Sequence, residues 1–105
     1  MNFVFWGRFR SIIGLMFQIP KKDTIYILDA GKDRKEIIHT IFCLKPLDMY
    51  LLNSKGEIVE YHKKVKPFRI IIPKKEFRFL IEGLDLKEKD IKNVIDYLSS
   101  KKLIR

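Results

Sequence analysis

The pattern of apolar and polar positions is most regular in the middle of the chain. The stretch Ile37 to Leu44 is rich in Ile, Thr and Phe and is followed by Pro46, which predicts a strand that ends there. In the next run, Asp48 to Leu52, the apolar residues are continuous rather than alternating, which indicates a strand covered on both faces. The turn residues Asn53 to Gly56 follow, so we expect a hairpin in which Glu57 to Tyr61 pairs with Asp48 to Leu52.

Shorter apolar runs on either side of this block predict further strands. They are Phe3 to Trp6, Thr24 to Leu28, Phe68 to Ile72 and Phe77 to Glu82. In the last run, Phe77, Phe79 and Ile81 occupy alternate positions, which predicts that all three lie on one buried face. The polar stretch Asp29 to Lys35 predicts a loop, and the apolar spacing from Arg8 to Phe17 is typical of a short helix or a turn.

The period of the pattern changes near the C-terminus. An apolar stripe at i, i+3, i+4 and i+7 consists of Ile91, Val94, Ile95 and Leu98. It predicts an amphipathic helix from Leu86 to Ser100, with Asp85 at the N-cap and Glu88 at capping-box spacing. Together the elements predict a mainly β, β-rich α+β fold: a small barrel-like or sandwich sheet with a short N-terminal helix and this C-terminal helix. A length of 105 residues fits one domain, spanning residues 1–105.

The charge balance of the chain is strongly basic. It carries 22 Lys and Arg against 13 Asp and Glu, a net charge of +9, which favours polyanions or an anionic membrane surface. The abundance of Lys and Glu is also typical of proteins from hot environments. A candidate polyanion-binding set comprises Lys63, Lys64, Lys66, Lys74 and Lys75. No nucleic-acid-binding signature accompanies these lysines, and a solvated Lys-rich rim would explain them equally.

The single cysteine and the N-terminal residues bear on the compartment. One cysteine, Cys43, excludes an internal disulfide and a Cys-rich zinc site and suits a reducing cytoplasm. The first seventeen residues are apolar, but Arg8 and Arg10 interrupt them, so we predict neither a membrane span nor a signal peptide. We therefore expect a cytoplasmic protein.

The residue types of a cysteine nucleophile, a base and an orienting acid occur at Cys43, His39 and Asp48. On one strand, residues four apart lie about 13 Å apart, too far for the hydrogen bond of about 3 Å that catalysis needs. Cys43 is better interpreted as a small buried apolar residue. The same residues and His62 lack a recognised metal-ligand spacing, so we expect no metal and no cofactor.

The strongest candidate site lies at the corner near Pro46. Its residues are His39, Thr40, Asp48 and Arg69. An aspartate beside an apolar strand needs water or a donor such as Arg69, His39 or a backbone N–H group. These polar groups could simply satisfy one another and fix the corner, or they could line a concave ligand site. We expect a non-enzymatic domain that binds a small ligand or a protein partner, with nucleic-acid association as the alternative and a hydrolase-like use of His39 and Asp48 as a second alternative.

Several stretches of the chain resemble one known family. They are residues 7–14, Ile38 to Cys43, Pro46 to Asn53, Gly56 to Val59, Lys66 to Arg69 and Phe79 to Glu82. On these motifs, which cover residues 7–84, the chain resembles domain-of-unknown-function family 192, also catalogued as uncharacterised protein family 0127. The resemblance implies a compact, mostly β domain with short helices and no established activity. Residues 83–85 depart from the family pattern, because they lead into a longer, charged helix.

Overall fold

A five-stranded sheet forms the body of the protein, in a computed structural model that describes residues 2–8, 24–35, 37–39, 46–66 and 69–104. In chain order the elements are β1 (Asn2–Arg8), β2 (Thr24–Arg34), β3 (Ile38–His39), β4 (Leu47–Leu52), β5 (Ile58–Val65), β6 (Ile70–Ile71), β7 (Phe77–Gly83) and α1 (Glu88–Ser100). The strand order in the main sheet is β1-β2-β7-β4-β5, while β3 and β6 form a two-stranded ribbon. β1 runs parallel to β2, and the other pairs are antiparallel.

This architecture confirms the predicted mainly β fold with a C-terminal helix. In the described ranges the main sheet is open, with β1 and β5 at its edges, so it does not close into a barrel. Of the predicted strand from Ile37 to Leu44, residues 37–39 are described, and Ile38–His39 pairs with β6. The predicted helix from Arg8 to Phe17 lies outside the described residues after Arg8, which is the last residue of β1.

The hairpin between β4 and β5 forms as predicted. Tyr50 pairs with Tyr61 across the two strands. In the turn, the Asn53 side-chain oxygen accepts the backbone N–H groups of Lys55 (3.0 Å) and Glu57 (2.9 Å). Gly56 has φ +84°, a conformation that favours glycine because a side chain would crowd the backbone. The local sequence therefore determines both the position and the register of this hairpin.

The predicted loop from Asp29 to Lys35 is wrong, because β2 continues through it to Arg34. The strand is irregular there: its register against β7 shifts between Asp29 and Arg34. Asp29 stabilises the irregular segment, since its carboxylate accepts the Gly31 N–H (2.7 Å) and forms two bonds with the Arg78 guanidinium of β7 (2.9 and 3.1 Å). This bidentate ion pair holds β2 against β7, and the polar sequence of the segment does not indicate it.

The sheet buries apolar side chains on both faces. Residues of one cluster include Tyr26, Leu28, Leu47, Met49, Leu51, Ile71, Phe77 and Leu80. The cluster on the opposite face includes Ile25, Ile27, Tyr50, Leu52, Phe79 and Ile81 and receives α1. The predicted burial of Phe77, Phe79 and Ile81 is thus confirmed, but their placement on one face is wrong: Phe77 belongs to the first cluster.

The C-terminal helix packs through the predicted stripe, with Ile91, Val94 and Leu98 buried against the sheet. Burial of each such side chain is worth roughly 1.5–3 kcal/mol, which holds α1 in place. The helix begins at Glu88, two residues after the approximate start that the sequence predicts, but the predicted N-cap is wrong. Asp85 does not cap it, because its φ of +50° places it in a left-handed turn. The N-cap is Lys87, whose backbone N–H donates to the Asp90 carboxylate at 2.9 Å.

Candidate functional site

Asp48, at the start of β4, joins three parts of the fold. Its buried carboxylate accepts the Lys64 N–H of β5 at 2.7 Å and the Leu86 N–H of the segment before α1 at 2.8 Å. The Lys63 ammonium lies 3.6 Å from the same carboxylate. Lys64 and Asp85 both have positive φ, +51° and +50°, so the two segments that Asp48 ties together have uncommon backbone conformations. Backbone N–H groups are thus the donors to Asp48, one of the possibilities its sequence position suggested.

Lys63 is held in one orientation by its surroundings. Its ammonium donates to the Leu86 carbonyl and lies 4.8 Å from the centroid of the Tyr50 ring. Burial alone would lower the pKa of Lys63, but the hydrogen bond with Tyr50 and the charge of Asp48 raise it above its ordinary value. Because the charged form is favoured, Lys63 is a fixed positive group between β5 and the start of α1.

A groove of about 620 Å³, which we call the helix groove, separates β5 from α1. Its lining residues are Tyr50, Ile58, Tyr61, Lys63, Glu88, Ile91, Lys92 and Ile95. The rings of Tyr50 and Tyr61 stack with centroids 5.5 Å apart and planes 17° apart. Tyr61 is nevertheless 60% exposed and Ile58 is 46% exposed. The groove therefore presents aromatic and aliphatic surface to solvent.

A second depression of about 590 Å³, the basic cleft, lies between β5 and the segment around β6. Its lining residues are Glu60, Tyr61, His62, Lys63, Val65, Arg69, Ile70, Ile71, Ile72 and Lys74. Burial alone would raise the pKa of Glu60, but the Lys74 N–H (2.8 Å) and His62 Nε2 (2.6 Å) beside its carboxylate lower it. The acidic side chain of the cleft is thus engaged internally. Tyr61 lies at the boundary of both depressions.

Of the four residues of the predicted corner site, Asp48 and Arg69 have described side chains. Asp48 lines a smaller depression, of about 430 Å³, with Lys63 and Lys64, whereas Arg69 lines the basic cleft. The backbone of His39 pairs with Ile70 on β6, and Thr40 and Cys43 lie outside the described residues. That site, and the hydrolase-like use of His39 and Asp48, stay predictions.

The predicted polyanion-binding lysines are all exposed. They are Lys63, Lys64, Lys66, Lys74 and Lys75.

Among the described side chains, no group of three or more His, Cys, Asp or Glu is arranged to hold a metal ion. No helix in the described part of the chain combines the length and the apolar character that crossing a membrane requires.

Sequence reasoning missed two residues that the structure makes prominent. Tyr61 was assigned only to a paired strand, and its exposure follows from the position of β5 at the edge of the described sheet. The sequence places Glu82 only at the end of a predicted strand, yet it is 4% exposed, and no described residue donates a hydrogen bond to its carboxyl group. Burial raises the pKa of Glu82 to about 8. A single acidic residue in the apolar run of residues 77–84 was the available signal.

The fold and its surface define a class: a small α+β domain whose open sheet bears a helix on one face and two depressions beside β5. No family model matches the chain. It is 37% identical over 74 residues to a UPF0127 protein of Pyrococcus horikoshii, a match covering 70% of this chain and 64% of that protein. A UPF0127 protein of Thermococcus sibiricus is 31% identical over 96 residues, 91% of this chain and 56% of the relative.

The chain belongs to uncharacterised protein family 0127, as these relatives show. A UPF0127 protein of Pyrococcus furiosus is 30% identical over 74 residues, with 70% and 63% of the two chains covered. The chain spans less than two thirds of the length of these relatives. Its fold is also similar to a crystal structure of a candidate transcription regulator from Sinorhizobium meliloti, with a TM-score of 0.64, 19% identity and coverage of 88% of this chain and 72% of that one.

Proposed function

We propose that the protein is a non-enzymatic binding domain and that its ligand docks on the Tyr61 surface, defined as Tyr61 with the walls of the helix groove and the basic cleft. The observation that carries the proposal is that Tyr61 is 60% exposed although its ring already stacks on Tyr50. An aromatic ring fixed in orientation loses little conformational entropy when a partner covers it. The surface is thus prepared for contact before the ligand arrives.

The dimensions of the two depressions support the same proposal. Volumes of about 620 and 590 Å³ lie in the range of small-molecule sites, which are mostly apolar with a few placed polar groups. Ile58 and Tyr61 supply exposed apolar area, and Arg69 and Lys74 supply charge in the basic cleft. Arg69, one of the four residues predicted from sequence, belongs to this surface.

The acidic groups beside the surface favour binding over acid–base chemistry. Asp48 accepts two backbone N–H groups, and Glu60 accepts the Lys74 N–H and contacts His62. A general base must be able to reach a substrate proton, and these carboxylates already have donors within the fold. We therefore propose retention of a ligand without turnover.

The proposal is tested by titrating the ¹⁵N-labelled protein with a panel of small aromatic and aliphatic fragments and following its amide resonances. We expect the shifted amides to cluster on β5 and the facing residues of α1 or β6. In Tyr61→Ala the affinity of the best fragment should fall about tenfold, because a stacking contact of about 1–1.5 kcal/mol is lost.

Ile37→Ala is the matched control, since Ile37 is 57% exposed and lines neither depression. Its fragment affinity should equal that of the wild type. Shifts that cluster away from β5, or equal losses in both variants, would refute the assignment of the Tyr61 surface.

A further inference from the structure

The positive charge of the chain is concentrated around the Tyr61 surface. Residues 58–75 contain six basic side chains and one acidic side chain, which gives +5 of the +9 net charge of the whole chain. All six basic residues are exposed: Lys63, Lys64, Lys66, Arg69, Lys74 and Lys75. The acidic one, Glu60, is turned toward His62 and the Lys74 N–H. The local positive potential is therefore only weakly offset from within the segment.

Geometry brings this charge to the edge of an exposed aromatic ring. Lys63, Arg69 and Lys74 line the basic cleft together with Tyr61. Lys63 is further oriented by the Leu86 carbonyl and Asp48, so its position next to Tyr50 and Tyr61 is fixed. Three cations in one cleft with a stacked tyrosine suit both contacts that a single strand offers: phosphates bind the cations and an unpaired base stacks on the ring.

We infer that the partner of the Tyr61 surface is a single-stranded nucleic acid, bound through its backbone along the basic cleft with a base stacked on Tyr61. The inference rests on the proposed function and specifies its ligand. A single strand fits better than a duplex, because a base inside a helical stack cannot lay its face on Tyr61. Because recognition through phosphates and one stacked base does not read the base edges, the affinity should depend little on the nucleotide sequence.

The test is fluorescence anisotropy with a labelled oligothymidylate, a duplex of equal length and phosphatidylserine vesicles. We expect the single strand to bind at least about tenfold more tightly than the duplex. With about three phosphate contacts, raising salt from about 50 to 200 mM should weaken binding roughly 20-fold. Tyr61→Ala should weaken single-strand binding about tenfold or more and leave duplex binding unchanged, whereas Tyr61→Phe should retain it.

A paired-lysine comparison separates the local patch from overall charge. Lys74→Gln/Lys75→Gln should weaken binding several-fold more than Lys101→Gln/Lys102→Gln, which removes the same charge from exposed positions after α1. Equal losses in the two double variants, equal affinity for single strand and duplex, or preference for vesicles would overturn the inference. If fragments bind at Tyr61 but the oligothymidylate does not, the inference fails and the proposed function stands; if neither binds, both fail.

Discussion

Replacing Glu82 by glutamine tests the electrostatic reasoning most directly. Glu82 lies on β7, opposite Tyr26 of β2 on one side and Met49 of β4 on the other, and it is only 4% exposed. Its carboxyl group has no described donor, and burial raises its pKa from 4.5 to about 8. The protonated form is favoured because a charge is costly to bury without a partner.

The sign of the pH dependence follows from this raised pKa. Between pH 4.5 and about 8 the folded protein keeps the Glu82 proton, whereas the unfolded chain has lost it. The free energy of unfolding from this group is therefore greatest below pH 4.5 and decreases as pH rises through that window. A difference of about 3.5 pH units at about 1.4 kcal/mol per unit gives a loss of about 5 kcal/mol.

Urea unfolding at pH 5 and pH 9 measures this loss. We expect the wild type to lose about 4 kcal/mol more than Glu82→Gln over that interval, since about 3 of the 3.5 pH units lie above pH 5 and glutamine, which resembles the protonated acid, does not titrate. The two proteins should differ by only about 1 kcal/mol at pH 5 and by several at pH 9. Glu76→Gln, at an exposed position, is the matched control and should follow the wild type. Parallel stability curves for wild type and Glu82→Gln would refute the argument.

Three further substitutions test local contacts that stabilise the fold, each by urea unfolding at neutral pH. Asp48→Asn should cost about 2–4 kcal/mol, since the buried Leu86 N–H and the part-buried Lys64 N–H lose a charged acceptor; Asp96→Asn on the exposed side of α1 should cost almost nothing. Gly56→Ala should cost about 1–2 kcal/mol, because φ is +84° and the new Cβ would lie 2.8 Å from Ile104 Cδ1. Asp90→Ala should cost about 1 kcal/mol by removing the acceptor for the Lys87 N–H, and an unchanged stability would show that this cap contributes nothing.

The parts of the fold that could be predicted from sequence are those whose signals are local. The hairpin depends on Asn53 and Gly56, which lie within its own turn, and α1 follows a stripe that repeats along a single helix. The continuation of β2 past Asp29 depends instead on Arg78, forty-nine positions away. No window of sequence around Asp29 contains that partner, so the polar composition there was interpreted as a loop.

The candidate site also has features that could be predicted from sequence and features that could not. Lysines are exposed wherever they lie, so the basic rim was predictable from composition. The exposure of Tyr61 was not, because an edge strand and an internal strand have the same alternation until the sheet order is known. The donors to Asp48 come from residues sixteen and thirty-eight positions away, so its sequence position predicted the need for donors but not their source.

Asp48 acts on the Tyr61 surface through Lys63 rather than by contact with it. The same carboxylate holds the Lys64 N–H and the Leu86 N–H, and Lys63 reaches from β5 to the Leu86 carbonyl. Lys63 lines both the helix groove and the basic cleft, so the position of its charge relative to Tyr61 depends on this joint. A substitution at Asp48 that leaves the protein folded should therefore weaken ligand binding at the Tyr61 surface, which Asp48 does not line. If the position of Lys63 did not depend on Asp48, the substitution would change stability alone.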